Sequence, residues 1–221
     1  MQNNVITGAN AESILSTNKL IRNTYILLSM TLLFSAFTAA ISVLLRMPPS
    51  TYLFSIGGAF LLMWFVLPKT ANSTSGIGVV FLITGLLGFS LGPILNMYLA
   101  LPNGPQIVAT ALGGTGIIFL GLSGYALTTK KDFSFLGGFL FVGFLVVLGA
   151  AILNIFMTIP ALSLALSAAI VMLMSGFILF DTSRMINGGI DNYVLATIQL
   201  YMNIFNLFVS LLHLLGFSRS D

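Results

Sequence analysis

Residues Tyr193–Gly216 read YVLATIQLYMNIFNLFVSLLHLLG. The stretch is long enough to cross a bilayer as one helix, since about 20 mostly apolar residues suffice. It is not uniformly apolar. Gln199, Asn203, Asn206, Ser210 and His213 follow one another at steps of 4, 3, 4 and 3, which places all five on one face of an α-helix, with Leu200, Phe205, Leu207, Phe208, Leu211 and Leu212 filling the remainder. Hydrocarbon cannot satisfy that face, and a buried polar group without a partner costs a few kcal/mol, so the stripe must look at other helices or at a water-filled cavity. Two readings stand side by side: a functional path through a bundle, or amides and a hydroxyl acting as hydrogen-bonding glue between helices.

The whole chain shares this character. Of its 221 residues 57% are hydrophobic and 6% charged, a balance outside the range of soluble domains, so an all-α polytopic membrane protein is expected. Seven spans can be read: Thr24 to Leu45, Tyr52 to Leu67, Ile77 to Leu101, Ile107 to Thr128, Phe135 to Met157, Ala161 to Asp181 or slightly beyond, and Tyr193 to Gly216. The second is the shortest. Short joints punctuated by Pro48 and Pro49, Pro68, Pro102 with Gly104 and Pro105, Pro160, and Gly188 with Gly189 separate most of them, as turn chemistry requires. The division expected is a cytoplasmic N-terminal tail over residues 1–23, a seven-helix membrane domain over 24–217 and a short outer tail over 218–221. With the N-terminus inside, the inner segments carry Lys19, Arg22, Lys69, Lys130, Lys131 and Arg184 and the outer ones Arg46 and Arg219, a positive-inside bias that sets the C-terminus outside.

Small residues recur inside the spans at packing intervals: Gly85, Gly88 and Gly92, then Gly113, Gly116, Gly121 and Gly124, and later Gly137, Gly138 and Gly143. All are expected to let backbones approach. Pro93, between Gly92 and Asn96, is expected to disturb the third span and free backbone groups where an outward-facing cavity can form.

Candidate chemistry is sparse. There is no cysteine, which removes disulfides, thiolate metal sites and cysteine nucleophiles. No basic cluster or stacking platform offers a surface for nucleic acid. Asp181, in FILFDTSR, is the acidic residue at membrane depth, where a carboxylate is expensive and faces the interior. Counted about Asn192, Asp181 and Asn203 lie 11 residues out on either side, so an antiparallel hairpin brings them level. With the apex at Gly189, Thr197 and Gln199 take that place. Asp181 then reads as a proton or cation site, or as half of a pair with Arg184 one turn away. The Gly121-Leu122-Ser123-Gly124 motif resembles that of rhomboid-type serine proteases, with His213 the one histidine to activate a serine. Topology opposes it, because Ser123 and His213 belong to opposite ends of the bundle. An aspartyl intramembrane protease needs a second facing aspartate, whereas Asp132 and Asp191 belong to loops, and no H-E-x-x-H pattern exists. His213 reads as a packed residue near the outer boundary or as a proton relay. No enzyme, cofactor or metal cluster is expected; Asp181 is the cation candidate.

FDTSRMINGG followed by LATIQLYMNIFNLFVSLLHLLGF resembles the closing hairpin of the Bax inhibitor family of seven-helix membrane proteins. STNKLIRNTYILLSMTLLFSAFTA, GLLGFSLGPILNMYL and LTTKKDFSFLGG are similar to its bacterial YccA-like branch, and the likeness runs through nearly the whole chain in matching order. What it implies is a bundle in the bacterial inner membrane with the seventh helix central and wrapped by the other six. It further implies a partner, the membrane-bound ATP-dependent protease FtsH, whose activity the YccA-like branch restrains, with Met1 to Asn18 as a handle. Another branch implies a pH-sensitive calcium leak governed by two aspartates. The first matches Asp181; the second falls on Asn203, which cannot share a proton with Asp181 or supply a second charge. Asp181, Asn203, Arg184 and Asn206 are therefore the candidates for an ion path or gate carrying Ca²⁺ or H⁺, with the bilayer as the surrounding partner.

Overall fold

The structure, a computed structural model, describes the backbone of residues 2–217 and the side chains of residues 15–217. Met1 and the expected outer tail, residues 218–221, lie outside the described residues. The described chain is helical, with seven helices long and apolar enough to cross a membrane: α1 (Gln2–Leu44), α2 (Ser50–Thr70), α3 (Ser75–Leu99), α4 (Gly104–Thr129), α5 (Leu136–Met157), α6 (Pro160–Ile186) and α7 (Tyr193–Phe217).

The expected spans are all present, and the largest differences are at the first two. Nothing before Pro48 breaks α1, so the segment expected as a tail continues the helix, and Leu20 and Ile21 already pack on the core. The second span is longer than the sequence suggests because it runs through Pro68. Proline has no N–H to offer and its ring crowds the carbonyl four residues back; the helix widens into a π turn over Leu62–Val66, with Leu67 N–H bonded to Leu62 O.

Packing sorts the helices into two layers. α7 touches α6, α4, α1 and α3, and its buried residues run its whole length, from Val194 to Gly216. The expectation that six helices wrap it is corrected to four. α2 packs on α3 and α5 on α6, and neither reaches α7. α5 has Leu140 as its one buried residue, which fits a helix that is apolar on every side and covered by protein only along α6.

Glycines decide the closest approach. A Cβ at Gly88 would overlap Ser35 O, and one at Gly92 would overlap the Ser42 side chain, so α1 lies directly on the glycine face of α3. Gly85 meets Phe34 at 2.7 Å in the same way, and Gly137 and Gly143 meet Phe180 and Leu173. The reading fails for Gly113, Gly116, Gly121, Gly124 and Gly138, where a Cβ would meet nothing within 4 Å. On α4, Gly116 looks into a gap toward α1, whose backbone lies on α3 instead. Pro93 lies inside a continuous α3. Beside it an open cleft of about 590 Å³ is lined by Arg46, Pro93, Asn96 and Met97, at the position where the sequence allows a cavity to form.

Candidate functional site

The centre of the molecule is the antiparallel contact of α6 and α7, joined by the turn at Asn187–Asn192. Gly188 takes φ +77° there, a conformation that costs a side chain but not glycine. Asn192 accepts the Val194 and Leu195 N–H groups through Oδ1, satisfying orphan donors at the α7 N-terminus. Its Nδ2 donates to Ala71 O at 3.0 Å and to Asn72 Oδ1 at 2.7 Å. One side chain thus starts α7 and ties the α2–α3 joint to it.

Eleven residues on either side of Asn192, the interior polar pair forms. Asn203 Nδ2 donates to Asp181 Oδ2 at 2.7 Å, with both residues buried. The register counted about Asn192 is the one found; Thr197 instead bonds Tyr193 O and, on α1, Thr24 O. An amide that donates to one carboxylate oxygen is the contact available to Asn203, which has no second negative charge to contribute. The alternative pairing with Arg184 is not formed. Arg184 Nη2 donates to Gly189 O at 2.8 Å and its guanidinium sits 5.4 Å from the Phe180 ring centroid, so the cation closes the turn rather than the core.

The next two residues on α6 matter as much, and the sequence reading passed over them. Thr182 Oγ1 lies 3.2 Å from Ser123 Oγ on α4, which in turn accepts from Tyr25 Oη on α1 at 3.0 Å. Ser183 Oγ donates to Lys131 O and accepts from Phe133 N, holding the α4–α5 joint, while Asn187 Nδ2 braces it. Successive helical residues point about 100° apart, so Asp181, Thr182 and Ser183 address three different elements from one turn. Three consecutive polar residues in an apolar helix, all buried, were the signal.

The stripe of α7 is divided. At its far end His213 Nδ1 lies 2.7 Å from Ser167 Oγ on α6, and Ser167 also donates to Ser163 O. Ser210 is buried and, with His213, Ser167 and Tyr98, lines a cavity of about 290 Å³. Asn206 turns back to its own helix, donating to Met202 O. Gln199 Oε1 is buried without a partner among the described residues, as are Thr24 Oγ1 and Ser42 Oγ. Glue therefore describes Asn203 and His213, while Gln199 keeps an unused acceptor. Ser123 and His213 do not meet: their partners Thr182 and Ser167 are 15 positions apart on α6, roughly 22 Å at 1.5 Å per residue. No three of His, Cys, Asp and Glu converge among the described residues.

Outside the spans, Asp132 is held below the usual carboxylate range by the Ser134 hydroxyl and by the Ser134 N–H, which donates to Oδ1 at 2.8 Å.

The sequence matches, over residues 17–220, the family model described as inhibitor of apoptosis-promoting Bax1. It is 51% identical over 209 residues to the modulator of FtsH protease YccA of Escherichia coli strain K12, covering 95% of this chain and 94% of that protein. The same figures hold for the inner membrane protein YccA of E. coli O6:H1. An uncharacterized membrane protein of Vibrio cholerae is 49% identical over 210 residues, again covering 95% and 94%.

Proposed function

The chain belongs to the Bax1-inhibitor family, and from that premise we propose that it is a multi-pass protein of the bacterial inner membrane that restrains an FtsH-type ATP-dependent protease without being an enzyme itself. The observation that carries this is the end-to-end similarity to a protein named for modulating that protease, with no large part of either chain left over. The geometry is compatible with a binding role. The polar side chains that could do chemistry are spent on holding helices together, as Asn203 on Asp181 and Ser123 on Thr182, and the one motif with a catalytic look has its serine and histidine far apart.

Two joints on one side of the bundle, Ala71–Asn72 and Lys131–Phe133, are pinned to the α6–α7 hairpin, which gives a protease partner a fixed surface there. Residues 1–18 are the handle proposed for it. The decisive experiment is capture of the intact protein from its native membrane under mild solubilisation, combined with the turnover of a membrane substrate of the protease in cells with and without this chain. Recovery of the protease, with faster turnover when the chain is absent, supports restraint; unchanged turnover and no recovery rejects it.

A second reading, a cation or proton leak between α6 and α7, rests on one observation: a carboxylate buried at membrane depth beside an amide. Such groups at that depth are functional by default. Flux through the purified chain in liposomes tests it. A leak altered by Asp181→Asn supports it, and a silent natural chain across pH rejects it.

A further inference from the structure

On the side of α7 away from Asp181, an elongated cleft of about 410 Å³ lies between α1 and α4, floored by Tyr201, Ile204, Phe205 and Phe208. Its α1 wall runs from Leu32 to Ala40 and its α4 wall from Val108 to Phe119, roughly 12 and 16 Å along the helices at 1.5 Å per residue. The backbones of α1 and α4 nowhere come into contact. They are bridged at one end, where Tyr25 reaches Ser123 and its ring stands 6.1 Å from that of Phe119. Toward the other end Leu91 and Leu95 of α3 complete the lining.

We propose that this cleft is a binding site for one acyl chain of a membrane phospholipid, methyl end against Phe119 and headgroup toward the α1–α2 joint. The class of ligand follows from the lining. Its three hydroxyls are already used: Ser35 and Tyr201 lie 2.5 Å apart, Tyr201 also donates to Thr84 O, and Thr115 donates to Ala111 O. No donor is left over for a polar ligand, and a cavity lined almost wholly by apolar groups stays dry. Left empty, its walls lose the dispersion contacts that packing supplies.

Two observations select lipid over other apolar occupants. The lips of the cleft, Leu33 and Phe37 on α1 and Leu112, Ile117 and Leu120 on α4, are exposed hydrophobics of the membrane-facing surface, so the cleft is continuous with the surface that hydrocarbon already covers. Six positions beyond Ala40, on the α1–α2 joint, Arg46 is exposed and is the only Lys or Arg of that side among the described residues; it lines the neighbouring cleft beside Pro93, and a guanidinium matches a lipid phosphate bidentately. The small residues Ala36, Ala39, Ala40 and Gly116 make the room, and Gly116 is a glycine whose Cβ would meet nothing. The acyl chain supplies the contact that α1 and α4 do not make with each other.

The test uses the full chain reconstituted in vesicles of phosphatidylcholine with brominated acyl chains, which quench tryptophan on contact. The chain has one tryptophan, Trp64, exposed on α2, which serves as the surface reference. The cleft probe is Trp64→Phe with Phe119→Trp, Phe119 being buried; Val108→Trp at the opposite end of the α4 wall replaces it if that variant does not fold. We expect the cleft probe to be quenched to within about twofold of Trp64, and Ala36→Phe to cut that quenching at least about threefold while leaving Trp64 quenching unchanged, since contact is what quenching requires. A cleft probe that bromolipid does not quench, quenching that Ala36→Phe does not alter, or a co-purifying polypeptide that crosslinks to the lips in place of lipid would each overturn the proposal.

Discussion

The two flanks of α7 solve the same problem in opposite ways. Toward α6 the helix presents amides, a hydroxyl and a histidine, and two of them find a partner across the interface, Asn203 on Asp181 and His213 on Ser167. Toward α1 and α4 it presents Tyr201, Phe205 and Phe208, and the space in front of them is left as an apolar cleft. In lipid there is little hydrophobic drive to press helices together, so packing and hydrogen bonds decide which interfaces close. The α6–α7 flank has hydrogen bonds; the α1–α3 contact beside it has glycines with a backbone on them; the α1–α4 gap has Gly116 with no helix on it and one hydrogen-bonded end, at Tyr25.

The largest effect should come from opening the closed flank. Asn203→Leu leaves Asp181 buried with no donor, at a cost of roughly 3 kcal/mol in thermal unfolding of the reconstituted protein. Adding Asp181→Leu to it should recover most of that loss, because removing both partners of a buried pair is close to neutral. A double variant as unstable as the sum of the two singles would mean that the pair is not what closes this flank.

The closed flank was also the legible one. The steps of 4, 3, 4 and 3 in Tyr193–Gly216 gave the buried face of α7, and counting about Asn192 gave its level partner, because helical geometry and a short joint fix depth without any knowledge of side-chain packing. The open flank was not legible. Gly116 and Gly88 look alike in sequence, and both were read as packing glycines, yet which one is covered depends on whether α1 lies on α3 or on α4. Thr182 and Ser183 were missed for a related reason. Their partners, Ser123 and the Lys131–Phe133 joint, come from distant segments, and a hydroxyl in a membrane helix can equally bond its own backbone, as Thr115 does. The pairing of Asp181 with Arg184 failed because one-turn spacing permits a contact and the Gly189 carbonyl competed for the guanidinium.

The glycine contrast gives the next prediction. Gly88→Val forces a side chain into Ser35 O and the Thr38 hydroxyl, and overpacking of this kind should destabilise by about 1–3 kcal/mol or more. Gly116→Val, whose side chain would meet no protein atom within 4 Å, should change the unfolding free energy by less than about 0.5 kcal/mol. Equal effects at the two sites would erase the distinction between closed and open flanks.

A smaller change is expected at the far end of the seam. Ser167→Ala removes the neighbour of His213 Nδ1, and the loss should be about 1 kcal/mol, the net worth of one hydrogen bond at a half-buried site. Tyr201→Phe removes its contacts with both Ser35 and Thr84 from the floor of the cleft. It should cost somewhat more, since the Ser35 hydroxyl is left buried. Measured against each other, the two variants show whether a hydroxyl on the apolar flank is worth as much as one on the polar flank.

The smallest effect lies outside the membrane, where both flanks become irrelevant and water supplies the comparison. Asp132 is fully exposed, and the Ser134 hydroxyl and N–H favour its charged form. A carboxyl whose pKa is lower in the folded chain than in the unfolded one contributes stability above the unfolded value, about 3.9 for aspartate, and that contribution disappears as pH falls through the folded value. The contact is local, so the readout should be local as well. The Ser134 amide should be better protected from exchange in the natural chain than in Asp132→Asn at a pH of about 6, and the ratio should fall toward one as the pH drops below about 3.9. A ratio that stays constant over that range would place the order of the Lys130–Ser134 joint in the Ser183 clamp alone, where Lys131 O and Phe133 N are held from α6.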